Sequence, residues 1–147
     1  MVKDDSAASG CKNKHHNLTI APNIQAKLMA YENTVLSLNS DRHSLVRQEA
    51  DLQKDGFTVI SVSSAIQARF EIEMGRCGTF LISYITPLAI YSDLASLFRR
   101  SCPDGLIVFI AEHDRSSVPD ADILLWTEEA QETVGQRIRL AREAKAS

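Results

Sequence analysis

At 147 residues the chain is long enough for one domain with a real core and too short for two ordinary ones. Hydrophobic residues make up 44% and charged residues 24%, a globular balance. A formal net charge of −3 gives no global field for drawing in DNA, RNA or an anionic membrane surface.

Residues 1–32 are polar and rich in Ser, Asn and Lys, and read as a flexible extension, with Met1 to His16 disordered. Lys3, Asp4 and Asp5 stand where a secretory signal needs an apolar stretch. Near the end of the extension Ile24, Leu28 and Tyr31 recur at i, i+4 and i+7 after Pro22, the spacing of a short amphipathic helix. From Asn33 onward, in the predicted domain 33–147, β-rich runs alternate with helical stretches, the signature of βαβ units and a parallel sheet. The runs are Thr34 to Leu38, Phe57 to Val62, Thr79 to Tyr84, Leu106 to Ala111 and Ile123 to Trp126.

Between them, Asp41 to Asp55 carries Leu45 and Leu52 seven apart and stops at Gly56, which suits a helix C-terminus. Ser63 or Ser64 caps a second helix whose Ile66, Phe70 and Met74 recur every fourth residue, before Gly75 and Gly78 break it. Ser92 offers a cap for a third, with Leu94, Leu97 and Phe98 on one face and Arg99 and Arg100 near its C-terminal end. The last, Glu128 to Ala144, repeats Ala130, Val134, Ile138 and Ala141, begins acidic and ends basic. Only residues 112–122, including Pro119, lie between the fourth and fifth strands, whereas a helix of ~11 residues with two loops needs more room. The fourth crossover helix is therefore expected to be shortened or missing.

Three stretches in this order carry a family resemblance. They are Val35-Leu-Ser-Leu-Asn-Ser-Asp41, Lys54-Asp-Gly-Phe-Thr-Val59, and Gly78-Thr-Phe-Leu-Ile-Ser-Tyr-Ile-Thr-Pro87. With Gly105 to Ala111 and Asp120-Ala-Asp122 before the fifth strand, the chain over residues 33–144 resembles the CheY-like receiver domain of two-component response regulators. The resemblance implies a three-layer, doubly wound α/β fold, receiver or flavodoxin-like, with five parallel strands in the order 2-1-3-4-5.

It also implies a phospho-acceptor set, and here the sequence departs from the family. The family's chemistry uses a carboxylate nucleophile ending the third strand, two acidic residues after the first to hold Mg²⁺, a hydroxyl ending the fourth strand and a lysine ending the fifth. Those positions align with Ser83, with Asn39 and Ser40, with Ile110 and with Thr127. The proline after the lysine is Glu128, and the aromatic switch position of the fifth strand falls on Leu124. Mg²⁺ prefers hard oxygen ligands that include one or two carboxylates, and all three expected carboxylates are replaced by neutral groups. Asp41, one residue later, offers a single charge at most. Without metal and lysine, charge developing on a transferring phosphoryl group loses its two main stabilisers.

Other chemistries are weighed residue by residue. Ser83 as a nucleophile needs a base and an oxyanion hole, and it lies in Ile-Ser-Tyr without the GxSxG elbow. Cys11, His15 and His16 form a Cys-x3-His-His cluster, but Zn²⁺ usually takes four ligands and no second cluster follows. His43 and His113 have no sequence neighbour that specifies a triad. The first crossover, Leu38 to Ser44, contains no glycine, so its backbone cannot approach a phosphate as a GxGxxG or P-loop does. Cys11, Cys77 and Cys102, widely spaced and without a CxxC pair, read as free thiols of a reducing compartment. The Asn17-Leu-Thr19 sequon carries no meaning without secretion. The lone Trp126 reads as packing, and Arg137, Arg139, Arg142 and Lys145 as a solvated helix face.

The longest apolar run, Leu106 to Ala111, is far below the ~20 residues that cross a bilayer. The expectation is a soluble, cytoplasmic, non-enzymatic module without cofactor or metal. It recognises protein independently of phosphorylation, its partner being a kinase or another regulatory protein, and homodimerisation is compatible with that role. Two alternatives stand beside it: a regulator sensing a small molecule or phosphodonor through the altered pocket, and a small flavodoxin-like cofactor carrier.

Overall fold

The computed structural model describes residues 31–111 and 120–146. The β-rich runs form β1 (Thr34–Leu38), β2 (Thr58–Val62), β3 (Thr79–Ser83), β4 (Leu106–Ala111) and β5 (Ile123–Trp126). Between and after them lie α1 (Arg42–Lys54), α2 (Ala65–Met74), α3 (Leu88–Ser101) and α4 (Thr127–Ala146). The strands make one sheet in the order β2-β1-β3-β4-β5, every neighbour parallel. β1, β3 and β4 are buried along their whole length, as inner strands covered on both faces must be, whereas β2 at the edge is only half-buried.

Side-chain alternation divides the core into two layers. Leu36, Phe80, Ile82, Ile107 and Phe109 meet α2 and α3 on one face, through Ala68, Ile72, Leu94 and Phe98. Val35, Leu81, Val108, Ile110 and Leu125 meet α1 and α4 on the other, through Leu52, Val134 and Ile138. Two aromatic pairs sit on the α3 side, where Tyr91 meets Phe109 edge to face at 5.1 Å between centroids and Phe80 meets Phe98 at 5.7 Å.

Helix ends follow local chemistry. Ser64 is the cap of α2: its Oγ accepts from the Gln67 N–H at 3.3 Å, and the Gln67 side chain accepts from the Ser63 N–H at 3.0 Å, a reciprocal capping box. Gly75 closes α2 with a φ of 69°, the left-handed conformation glycine adopts without a Cβ clash. α3 starts four residues before the expected Ser92 cap, because Pro87, with φ fixed at −56° and no N–H to satisfy, opens the helix at Leu88.

Two expectations are corrected. The stripe Ile66, Phe70 and Met74 does not face the core: it is 82%, 55% and 45% exposed, while Ala68 and Ile72 are buried. Packing α2 close on the sheet places the small Ala68 beneath it, which turns the larger side chains outward. The basic end of α4 is not wholly solvated either. Arg142 Nη2 donates to the Gly78 carbonyl at 2.6 Å and to Thr79 Oγ1 at 3.0 Å, and the Arg139 guanidinium lies 4.8 Å over the Phe57 ring while donating to the Asp55 carbonyl.

An arginine clamp fixes the approach to β5. Arg99 donates to the carbonyls of Gly105 and Asp120 at 3.2 and 2.6 Å and pairs with Asp122 at 2.8 Å, and Asp122 Oδ2 also accepts from the Ile107 N–H at 2.8 Å. The expected shortening or loss of the helix between β4 and β5 falls on residues 112–119, outside those described, as do His113 and Pro119. The extension before Tyr31, with Cys11, His15, His16 and the Asn17 sequon, is likewise outside them. Tyr31 and Glu32 are helical, and Asn33 is tied to the sheet edge by the Thr58 N–H at 2.9 Å. Cys77 and Cys102 are buried and form no disulfide with each other. No helix among the described residues is long and apolar enough to cross a membrane.

Candidate functional site

Parallel strands deliver their C-terminal ends to one edge of the sheet, where doubly wound folds bind ligands. Here that edge opens into a cleft of about 210 Å³. Asn39 and Asp41 from the β1–α1 corner, Ser83 to Ile85 from the end of β3, Ile110 from β4 and Thr127 at the start of α4 line it, together with Ser44, Arg47, Gln48 and Asp51 along α1. Of the five aligned positions, Asn39, Ser83, Ile110 and Thr127 are thus brought together. Ser40 is exposed and does not line the cleft.

Asn39, Asp41, Ser83 and Ile110 are already engaged in holding the corner together. Asn39 is 2% exposed, and its Oδ1 accepts from the Asp41 N–H at 2.9 Å, a local turn that aims the chain into α1. The Asp41 carboxylate accepts from the Ser44 hydroxyl at 2.6 Å. That bond, aided by the nearby His43, holds the Asp41 carboxyl below the usual range, so it is ionised at neutral pH. Ser83 is buried, and its Oγ accepts from the Ile85 N–H at 3.3 Å. Ile110 lies beside Ser83 in the β3–β4 register, 3% exposed, and its carbonyl accepts from the Tyr84 N–H at 2.8 Å. Leu124, at the aromatic switch position, is half-buried against the α2–α3 layer.

The residues do not fit a divalent cation. Asn39 and Ser83 each spend an oxygen on a backbone N–H, and Ser40 lies outside the cleft. The two carboxylates on its wall, Asp41 and Asp51, are ten residues apart along α1, about 15 Å of helix axis, too far to share one ion. Among the described residues no three His, Cys, Asp or Glu side chains gather as a metal site. Nor does a histidine among the described residues line the cleft to act as a base for Ser83, and His43 is exposed on α1.

Sequence reading missed Ser44, Arg47, Gln48 and Asp51. Their spacing of three, one and three residues is the polar counterpart of the buried Leu45 and Leu52, and that periodicity was the available signal.

No protein-family model matches the chain, and no curated protein does. Solved structures are similar to it. The receiver domain of a Francisella response regulator is 12% identical, with a TM-score of 0.66 over 78% of this chain and 99% of that one. A response regulator receiver protein from Sinorhizobium medicae is 23% identical, with a TM-score of 0.56 over 76% and 97%. A Thermotoga maritima response regulator, solved in complex with Mg(2+)-BeF, is 14% identical, with a TM-score of 0.59 over 75% and 97%. The chain has the receiver fold.

Proposed function

We propose that this chain is a receiver-like protein-interaction module of signal transduction or transcriptional regulation that works without phosphorylation. The observation that carries the reading is the end of β3. A receiver-type cleft is formed there, yet its central side chain is the neutral, buried Ser83, flanked by the apolar Ile110 and with no carboxylate pair opposite. A fold that keeps its sheet, its two helical layers and its cleft while lacking the groups of phosphoryl transfer retains surfaces for binding and loses the chemistry that would switch them. It supports a protein recognised in one constitutive state.

A small-molecule-sensing regulator is the second reading. What favours it is Arg47 on the cleft wall, which makes no hydrogen bond or ion pair with the other described residues and offers a cation to an anionic ligand.

The test is titration with Mg²⁺ and beryllofluoride, followed by amide NMR and thermal unfolding. The expected result is unchanged amide shifts at Ser83, Ile110 and Thr127 and an unchanged midpoint. Saturable shifts at those amides contradict the proposal and favour the second reading.

A further inference from the structure

β2 is the edge of the sheet, and among the described residues nothing pairs with its open side. Thr58, Ile60 and Val62 turn their backbone groups to β1: the Thr58 N–H donates to the Asn33 carbonyl at 2.9 Å, and the Val62 carbonyl accepts from the Asn39 N–H at 3.2 Å. In a parallel ladder alternate residues face the other way, so Val59 and Ser61 hold their N–H and C=O groups toward the open side. The next outward N–H groups on either side are satisfied by the chain itself. That of Phe57 donates to the Leu52 carbonyl and that of Ser63 to the Gln67 side chain, both at 3.0 Å.

Natural edges are guarded by charge, proline or a bulge, and this one carries none of them. No charged residue and no proline occurs from Gly56 to Ala68, and the register with β1 runs unbroken from Thr58 to Val62. Val59 and Ile60 are half-buried, one at the rim of each core layer. α1 adds an apolar neighbour on the same flank. Its Glu49 accepts from the Ser61 hydroxyl of β2 at 2.9 Å and from the Gln53 side chain at 3.2 Å. Val46 lies three residues before Glu49, hence on that side of the helix, and is 60% exposed.

We propose that two copies of this chain join through β2, antiparallel about a two-fold axis at Ile60, in one continuous sheet. The edge is complementary to itself in that arrangement. Val59 stands opposite Ser61 of the second copy and Ser61 opposite its Val59, each pair exchanging two hydrogen bonds, so every open N–H of β2 is answered. Ile60 meets its own copy at the non-hydrogen-bonded position, where side chains approach most closely. Because the axis is perpendicular to the sheet, both α1 helices fall on one face, beside each other, and Val46 is covered. A lone extended segment would satisfy the same backbone groups and leave Val46 bare. None of Val46, Val59, Ile60 and Ser61 lines the cleft, so the contact is independent of the phosphorylation claim.

Sedimentation velocity on the full-length chain and on Val59→Pro, from micromolar to millimolar concentration, tests this. Proline at this position removes an outward N–H, keeps the ladder to β1 and is tolerated in an edge strand. The expected result for the unmodified protein is a mass rising toward that of two chains, with amide exchange at Val59 and Ser61 slowing over the same range. Val59→Pro should keep the mass of one chain throughout. Thr58→Lys, which places a charge at an exposed edge position, should do the same, and it decides the matter if Val59→Pro does not fold. A one-chain mass at every concentration in the unmodified protein overturns the proposal. So does a dimer that survives both substitutions, because another surface then joins the copies. Exchange at Val59 and Ser61 that is slow at every concentration also overturns it, because another part of the same chain then covers the edge.

Discussion

Ser83 and Tyr91 show how burial sets the behaviour of single polar groups in this protein. Ser83 Oγ is accommodated near the sheet edge because it is neutral and accepts the Ile85 N–H, whereas a carboxylate beside Ile110 would have to be ionised against an apolar neighbour. Tyr91 is buried beneath β4, and burial, reinforced by the Asp120 carboxylate and partly offset by Arg99, pushes its phenol up to about 12. An unfolded tyrosine titrates near 10, so between about pH 10 and pH 12 the folded chain holds a proton that the unfolded chain has released. The contribution of Tyr91 to stability is therefore fully present below that window and is lost as pH rises through it. Phenolate absorbance during an alkaline titration of the folded protein should show one of its three tyrosines ionising only near pH 12, and Tyr91→Phe should remove that step.

At the scale of elements, α2 separates what the sequence made legible from what it concealed. Its existence, its Ser64 cap and its Gly75 stop were readable, because capping and glycine chemistry are local. Its orientation was not, because Ala68 and Ile72 carry less apolar surface than Ile66, Phe70 and Met74, and only tertiary packing chooses between the two sides. The consequence is measurable in urea unfolding. Ile72→Ala should cost about 2–5 kcal/mol, as buried truncations do, while Ile66→Ala should stay within about 0.5 kcal/mol. The five strands were legible for the same local reason, since short β-rich runs separated by helical stretches allow few other arrangements. Strand order came from the resemblance, and the start of α3 lies ahead of Ser92 because Pro87, not the serine, opens the helix. In the cleft, Asn39, Ser83, Ile110 and Thr127 came from the resemblance, by alignment with the receiver family's positions. The α1 wall was missed because attention to the strand ends left the polar side of that helix unread.

For the whole molecule, the sheet, both helical layers and the Arg99 clamp lie C-terminal to Tyr31. A chain beginning at Tyr31 should accordingly unfold cooperatively on heating. One beginning at Thr34 should be less stable, because it loses the Asn33 carbonyl bonded by Thr58 and the turn packed on Gly78. Loss of cooperativity in the Tyr31 chain would mean that Ile24 and Leu28 belong to the core.

The central claim is that this receiver fold acts without phosphorylation, and intact-mass spectrometry tests it most directly. The chain and its Ser83→Asp variant are incubated with Mg²⁺ and a small-molecule phosphodonor. Groups that transfer phosphoryl act as a unit, so restoring one carboxylate beside Asn39, Ile110 and Thr127 should not restore the reaction. The expected result is no added phosphoryl mass on either protein. An acid-stable adduct on Ser83, or a labile one on Asp41, would contradict the claim.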